Sequence, residues 1–315
     1  MYEKRTVKSA QQNETKTRYF LVSEGTVTEP LYFEALIAHQ TALGISPTIE
    51  LIPLLRSYSE AGFTQPKKLI ECLLQNLAEQ QQGKISYKTL LDRIMDYLLE
   101  TKSIQHSKQA RKIWNRMVNH CEQILHRPLY IKFDRKRFSA KCHSILFMLQ
   151  QYIKLPASAK QITTVLIERN LTYRPGVDKL CLFIDRDKEQ FGTAPQTKQY
   201  NEVIELCHKN NIQLYVSNPC FEFWLLLHFK QVFAMHDTLL LENPKVTSRK
   251  RYASHQLSKL LPNGYQKNHY AAHKLVKQID TAIANESAYC ENVHHLEYRL
   301  GSNVGKFIEH LRQIG

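Results

Sequence analysis

The stretch that decides the fold is KLCLFIDRD, residues 179–187. Leu180 to Ile184 form an unbroken apolar run that stops abruptly at Asp185, Arg186 and Asp187. A short apolar run bounded by charge reads as a strand covered on both faces, as in the interior of a parallel sheet. Residues two apart on a strand project to the same side, so the carboxylates of Asp185 and Asp187 are expected together at the strand's carboxyl end. Two such groups repel one another unless something positive lies among them.

Working outward, RYFLVS (18–23), TIELIPLL (48–55) and IQLYVS (212–217) have the same character. Between them lie segments of helical spacing: LYFEALIAHQ after Thr28 and Pro30, PKKLIECLLQNLAEQQQ from Pro66, and a helix over roughly 196–210. Thr28 is expected as an N-cap with Glu29 in the first turn, and Asn218 as the cap of an apolar helix beginning at Pro219. Strands alternating with helices predict an α/β fold with a mainly parallel sheet, and such sheets carry their chemistry beyond the strand carboxyl ends. Glu24, Glu29, Asp185, Asp187 and Glu222 all follow predicted strands, so the fold would bring them to one rim. A hard divalent cation, Mg²⁺ or Mn²⁺, takes carboxylate oxygens and would offset their repulsion.

The chain of 315 residues is 43% hydrophobic and carries a net charge of +14. That charge is concentrated: Lys84 to Arg174 hold 18 Lys/Arg against 6 Asp/Glu, leaving only +2 for all other residues. The segment shows helical spacing over 86–101, 107–125 and 136–153, and is expected to be an inserted all-helical unit. A segregated positive charge suits a polyanion. Lys108, Arg111, Lys112, Arg116, Lys132, Arg135, Lys136, Arg137 and Lys141 are the candidate phosphate contacts, with Trp114, Phe133 and Phe138 as stacking platforms for unpaired bases. The alternative is a helical bundle whose aromatics are core and whose lysines are merely solvated. The seven cysteines have no CxxC pair, which suits a reducing compartment better than a disulfide or zinc framework. No apolar run approaches the ~20 residues of a membrane span, so a cytoplasmic protein is expected.

Three blocks, FLVSEGTVTEPLYFEAL (20–36), LCLFIDRDKEQF (180–191) and SNPCFEFWLLLHF (217–229), occur in an order that resembles the RloB family, also called RloB-like or AbiLii-like; GSNVGKFIEHL (301–311) is similar to its C-terminal block. The resemblance implies a Toprim-type fold and a role in prokaryotic antiphage defence of the abortive-infection type. It implies a Mg²⁺-dependent endonuclease acting on DNA or RNA, working with an AAA/SMC-like ATPase encoded nearby. Glu24 then matches the Toprim glutamate, Asp185 and Asp187 the DxD pair, and Glu29 a second acidic metal ligand. Glu222 is a further metal candidate, and Lys267 reads either as the lysine beyond the DxD pair or as a surface residue. The alternative function is a non-catalytic nucleic-acid-binding or assembly module of an ATPase-driven complex; a homo-oligomer is compatible with either. The expected organisation is a lead over 1–17, a core over 18–83 and 177–235, the basic insertion 84–176 which the resemblance leaves unexplained, and a helical extension over 236–315.

Overall fold

The structure, a computed structural model, describes residues 16–62, 65–169, 172–186 and 196–314. Among these, no helix is long and apolar enough to cross a membrane. The described residues fall into two compact units. One takes those within 56–63 and 71–174, the other those within 12–55, 64–70 and 175–315.

The second unit is built on a five-stranded sheet. Its strands are β1 (Thr17–Ser23), β2 (Ile49–Leu54), β5 (Lys179–Asp185), β6 (Ile212–Asn218) and the short β7 (Gly301–Ser302). Their spatial order is β2-β1-β5-β6-β7. The first four are parallel, and β7 runs antiparallel to β6. All four strands read from the sequence are present, and the expected mainly parallel α/β sheet is correct. The reason is visible at the centre. Tyr19, Phe20, Leu21 and Val22 of β1, and Leu180 to Ile184 of β5, are all buried, because both faces of an inner strand are covered. At the amino ends of these strands Arg18 is locked to Asp178, donating from Nε to Oδ1 (3.2 Å) and from Nη2 to Oδ2 (2.6 Å), with both side chains buried.

The order also fixes where a site can form. From β1 the chain passes through α1 (Thr28–Ala38) to β2 on one side. From β5 it passes through α7 (Gln196–Lys209) to β6 on the other. The two central strands therefore send their connections in opposite directions, and a crevice opens between their carboxyl ends. Glu24 and Asp185 stand at that point.

Around the sheet's apolar surface lie α1, α8 (Phe221–Leu226), α9 (Asp237–Glu242), α10 (Tyr252–Leu260), α11 (Ala272–Val276), α12 (Ile279–Glu286) and α13 (Val304–Gln313). Phe223, Trp224, Phe307 and Leu225 are completely enclosed there. The region after 236 is less helical than its spacing suggests: its helices are short, and β7 joins the sheet. Two cap expectations are also revised. The helix after β6 begins at Phe221, not Pro219, because Asn218 ends β6 and its Nδ2 donates to the Leu296 and Arg299 carbonyls (2.6 and 3.0 Å). Thr28 is itself helical and its hydroxyl meets Tyr265 Oη (3.2 Å), so it caps nothing.

In the first unit α3 (Tyr87–Glu100), α4 (Ser107–Asn119), α5 (Phe138–Leu149) and α6 (Ala159–Glu168) enclose their own apolar core. The sequence reads α3 well: its N-cap Ser86 accepts from the Thr89 amide (3.2 Å). The unit is not all-helical, however. β3 (Lys84–Ser86) pairs antiparallel with β4 (Lys132–Asp134), too short a ribbon for periodicity to reveal. Nor does it begin at 84. The 56–62 turn belongs to it, with the Tyr58 and Ser59 amides donating to Asp96 and Asp92 (2.9 and 2.8 Å). Much of α2 (Pro66–Gln81) belongs too, with Glu79 accepting from the Ser86 amide (3.1 Å). The expected lead over 1–17 lies outside the described residues as far as 15, and Thr17 is already in β1.

Candidate functional site

The site starts from two strand ends held in register. Ser23 of β1 pairs with Phe183 of β5, and the Glu24 amide donates to the Phe183 carbonyl (2.9 Å). This carries Glu24 directly over the end of β5, where its Oε2 accepts from the Asp185 amide (3.1 Å). Gly25 then permits a close approach. A Cβ there would overlap the Glu29 carboxylate, and the Gly25 amide instead donates to Glu29 Oε1 (2.9 Å). The EG pair thus places one acid by its own backbone and makes room for a second, at the second residue of α1.

From the other side, Asp185 Oδ1 accepts from the amide of Phe221, the first residue of α8 (2.8 Å). The next residue, Glu222, accepts from the Tyr265 hydroxyl at Oε1 (2.9 Å), and the same oxygen lies 3.9 Å from Lys267 Nζ. Glu24, Glu29 and Glu222 are all buried, whereas the Lys267 side chain is 78% exposed and reaches in from solvent.

The electrostatics follow from that burial. Asp185 is held well above the usual carboxylate range, first by its own desolvation and then by Glu24, Glu29 and Glu222, with Lys267 acting against them. Glu29 is raised as well, chiefly by burial and also by Glu222, while its backbone hydrogen bonds pull the other way. Lys267 is raised, mostly by Glu222. These shifts are the signature of several acids sharing one low-dielectric space. Arg186, between the two aspartates in sequence, has its Nη2 3.7 Å from Glu297 Oε1.

Five of the candidate residues, Glu24, Glu29, Asp185, Glu222 and Lys267, therefore interact at the carboxyl ends of β1, β5 and β6. Asp187 lies outside the described residues. The donor set is all carboxylate oxygen, which fits a hard divalent cation in chemistry. Among the described residues, no group of three or more His, Cys, Asp or Glu side chains is arranged to hold an ion; the carboxylates are engaged by amides, Tyr265 and Lys267. His228 is a packed core residue. Its Nε2 meets the Tyr32 hydroxyl (3.0 Å), and burial pushes its pKa down to about 4, so it is neutral.

Asp185, Glu222 and Lys267 also line an open cavity of about 220 Å³, together with Cys220, Asn243 and the loop 245–251. Sequence reasoning missed Tyr265 and this loop. Only the loop carried a signal, four cations in KVTSRKR.

In the first unit, Lys108, Arg111, Lys112, Arg116, Lys132, Lys136 and Arg137 are exposed, and Arg135 and Lys141 are half-buried. The three expected stacking platforms are not free. Phe138 is buried, Phe133 packs against Tyr87 (centroids 4.9 Å) and Trp114 against Tyr58 (5.4 Å). The outward-facing rings are Phe147 (70% exposed), Tyr130 (73%) and Tyr152, the last covered on one face by the Arg116 guanidinium at 3.8 Å. Phe147 and Tyr152 line an open cleft with His120 and His143.

The family model described as RloB-like protein matches residues 19–311, nearly the whole chain and across the basic segment. The chain belongs to the RloB-like family. No curated protein and no solved structure matches it significantly. For an RloB-like chain, the EG turn, the β5 aspartate and the NPCFE block now have a shared reason: each supplies one wall of the same crevice.

Proposed function

We propose that this RloB-like protein is a Toprim-type, Mg²⁺- or Mn²⁺-dependent nuclease that hydrolyses phosphodiester bonds of DNA or RNA in antiphage defence, working with an ATPase partner. The observation that carries the reading is the gathering of Glu24, Glu29, Asp185 and Glu222 at the switch point, at the cost of raised proton affinity in Asp185 and Glu29. Like-charged buried acids are an expense that a purely structural crevice has no use for.

Asp185 and Glu24 would hold the cation, with Asp187, Glu29 and Glu222 completing its surroundings; when bound, the ion would polarise the phosphate and activate a water. The chain's own groups do the rest. The Glu24 carboxylate, fixed by the Asp185 amide, is oriented toward the crevice without searching rotamers. Lys267 brings an exposed positive charge to the crevice beside Glu222, where it would attract a phosphate. Tyr265 fixes the Glu222 oxygen from below.

The alternative, a non-catalytic nucleic-acid-binding or assembly module, is favoured by one observation: the described acids are satisfied by protein donors and no three of them are arranged around an ion. The decisive experiment measures cleavage of single-stranded DNA, duplex DNA and tRNA with Mg²⁺ or Mn²⁺, alongside the melting shift that each ion produces. The nuclease reading expects cleavage and an upward shift, both lost in Asp185→Asn. Neither cleavage nor a shift in the wild-type protein, with its ATPase partner supplied, rejects it.

A further inference from the structure

The cavity beside Asp185 has two unlike walls. One presents Asp185 and Glu222; the other is a tight hairpin carrying Lys245, Arg249, Lys250 and Arg251. The hairpin is rigid for local reasons. Lys245 and Arg251 form an antiparallel bridge. The Val246 and Thr247 amides both donate to the Lys250 carbonyl (2.9 and 3.1 Å). The Thr247 hydroxyl oxygen accepts from the Arg249 and Lys250 amides (3.2 and 2.9 Å). At its base Asn243, in a left-handed conformation (φ 43°), accepts from the Ala253 amide through its side chain (3.0 Å).

Lys245, Arg249 and Lys250 of this turn form no ion pair among the described residues. Lys250 Nζ donates to the neutral Ser258 hydroxyl (2.6 Å), and Arg251 Nη1 to the Asn243 carbonyl (3.2 Å). Lys245 and Arg249 are exposed. Lys245, Arg249 and Lys250 thus line the cavity opposite Asp185 and Glu222. An acid-floored crevice by itself repels a polyanion, whereas this opposing wall attracts one and fixes the side from which it enters.

We propose that the 245–251 hairpin is a phosphate-binding wall. It would seat the backbone phosphate that flanks the reacting bond of a nucleic-acid strand and so place that strand against Asp185. The inference rests on the nuclease reading for the identity of the strand but not for the contact, so binding can be measured without turnover. The probe is a short labelled single-stranded oligonucleotide, titrated in EDTA over a range of salt concentrations. The variants are Lys245→Ala/Arg249→Ala and, as a control of equal charge change in the same unit, Lys274→Ala/Lys277→Ala, both residues exposed. Each lost phosphate contact lowers the single-strand salt slope by about 0.7. The hairpin variant is therefore expected to bind about tenfold or more weakly with a slope smaller by roughly 1.4, the control to stay within about twofold, and both to melt like the wild type. Wild-type binding that is undetectable, a hairpin variant indistinguishable from wild type, or an equal loss in the control overturns the proposal. A protein that never cleaves but loses binding only with the hairpin variant keeps this inference and discards the nuclease reading.

Discussion

The two compact units handle charge in opposite ways. In the basic unit, most lysines and arginines are exposed around a self-contained apolar core, and only a few charges, Glu60, Glu79, Asp92 and Arg93, are buried. In the sheet unit, four acids are drawn inward at the strand ends and held by named partners. A solvated charge costs little and tolerates replacement; a buried one is expensive and depends on its geometry. The difference predicts that the sheet unit's rim answers to single substitutions, while the exposed cations of the basic unit answer only to their sum.

The strongest challenge to that contrast is Asp185→Asn. Its Oδ1 can still accept from the Phe221 amide, so the fold is expected to survive. Cleavage should fall about a thousandfold or more, as when a group acting only in the transition state is lost. Because Asp185 binds its proton more tightly folded than unfolded, the native state holds more protons, and wild-type stability declines as pH rises above the ordinary carboxylate value. The variant should show a flatter pH–stability curve and melt higher than wild type near neutrality. A variant that melts lower there would show that Asp185 is stabilised by its surroundings.

Arg18→Ala tests buried charge away from the rim. It removes both hydrogen bonds that the guanidinium gives the enclosed Asp178 carboxylate, and a loss of about 3–5 kcal/mol in urea unfolding is expected. A loss below about 1 kcal/mol would mean that water or other protein donors satisfy Asp178 without Arg18. Gly25→Ala is a finer probe: the added methyl must displace the Glu29 carboxylate, with an expected cost of about 1–3 kcal/mol and lower ion affinity in the same melting assay. Smallest of all, Lys108→Gln/Arg111→Gln/Lys112→Gln should change stability by less than about 0.5 kcal/mol, yet reduce the salt dependence of oligonucleotide binding. Unchanged salt dependence would leave these residues as a solvated face.

Much of the contrast is already legible along the chain. The four parallel strands could be read because each is a short apolar run with turn or charge signals at its ends. The acids at those ends could be read because a parallel sheet brings distant strand termini to one rim. The basic unit's charge could be read because a sum needs no geometry. The unit's edges were not legible: β3 and β4 are each three residues long, and the 56–62 turn is recruited by hydrogen bonds to Asp92 and Asp96 that no local pattern announces. The stacking aromatics were misplaced for a related reason, since a single helix cannot say which of its rings the other helices will cover.

By itself, then, the sequence determined the four parallel strands, the sheet class, the acids that follow those strands and the location of the positive charge, all of which depend on local composition and periodicity. Tertiary structure alone decided that β1 lies beside β5 with connections leaving in opposite directions. It also decided that Glu24 reaches the Asp185 amide, that Tyr265 and Lys267 converge on Glu222, and that a basic hairpin stands opposite the acids. Those relations join residues up to 161 positions apart, and only packing of the whole chain fixes distances on that scale.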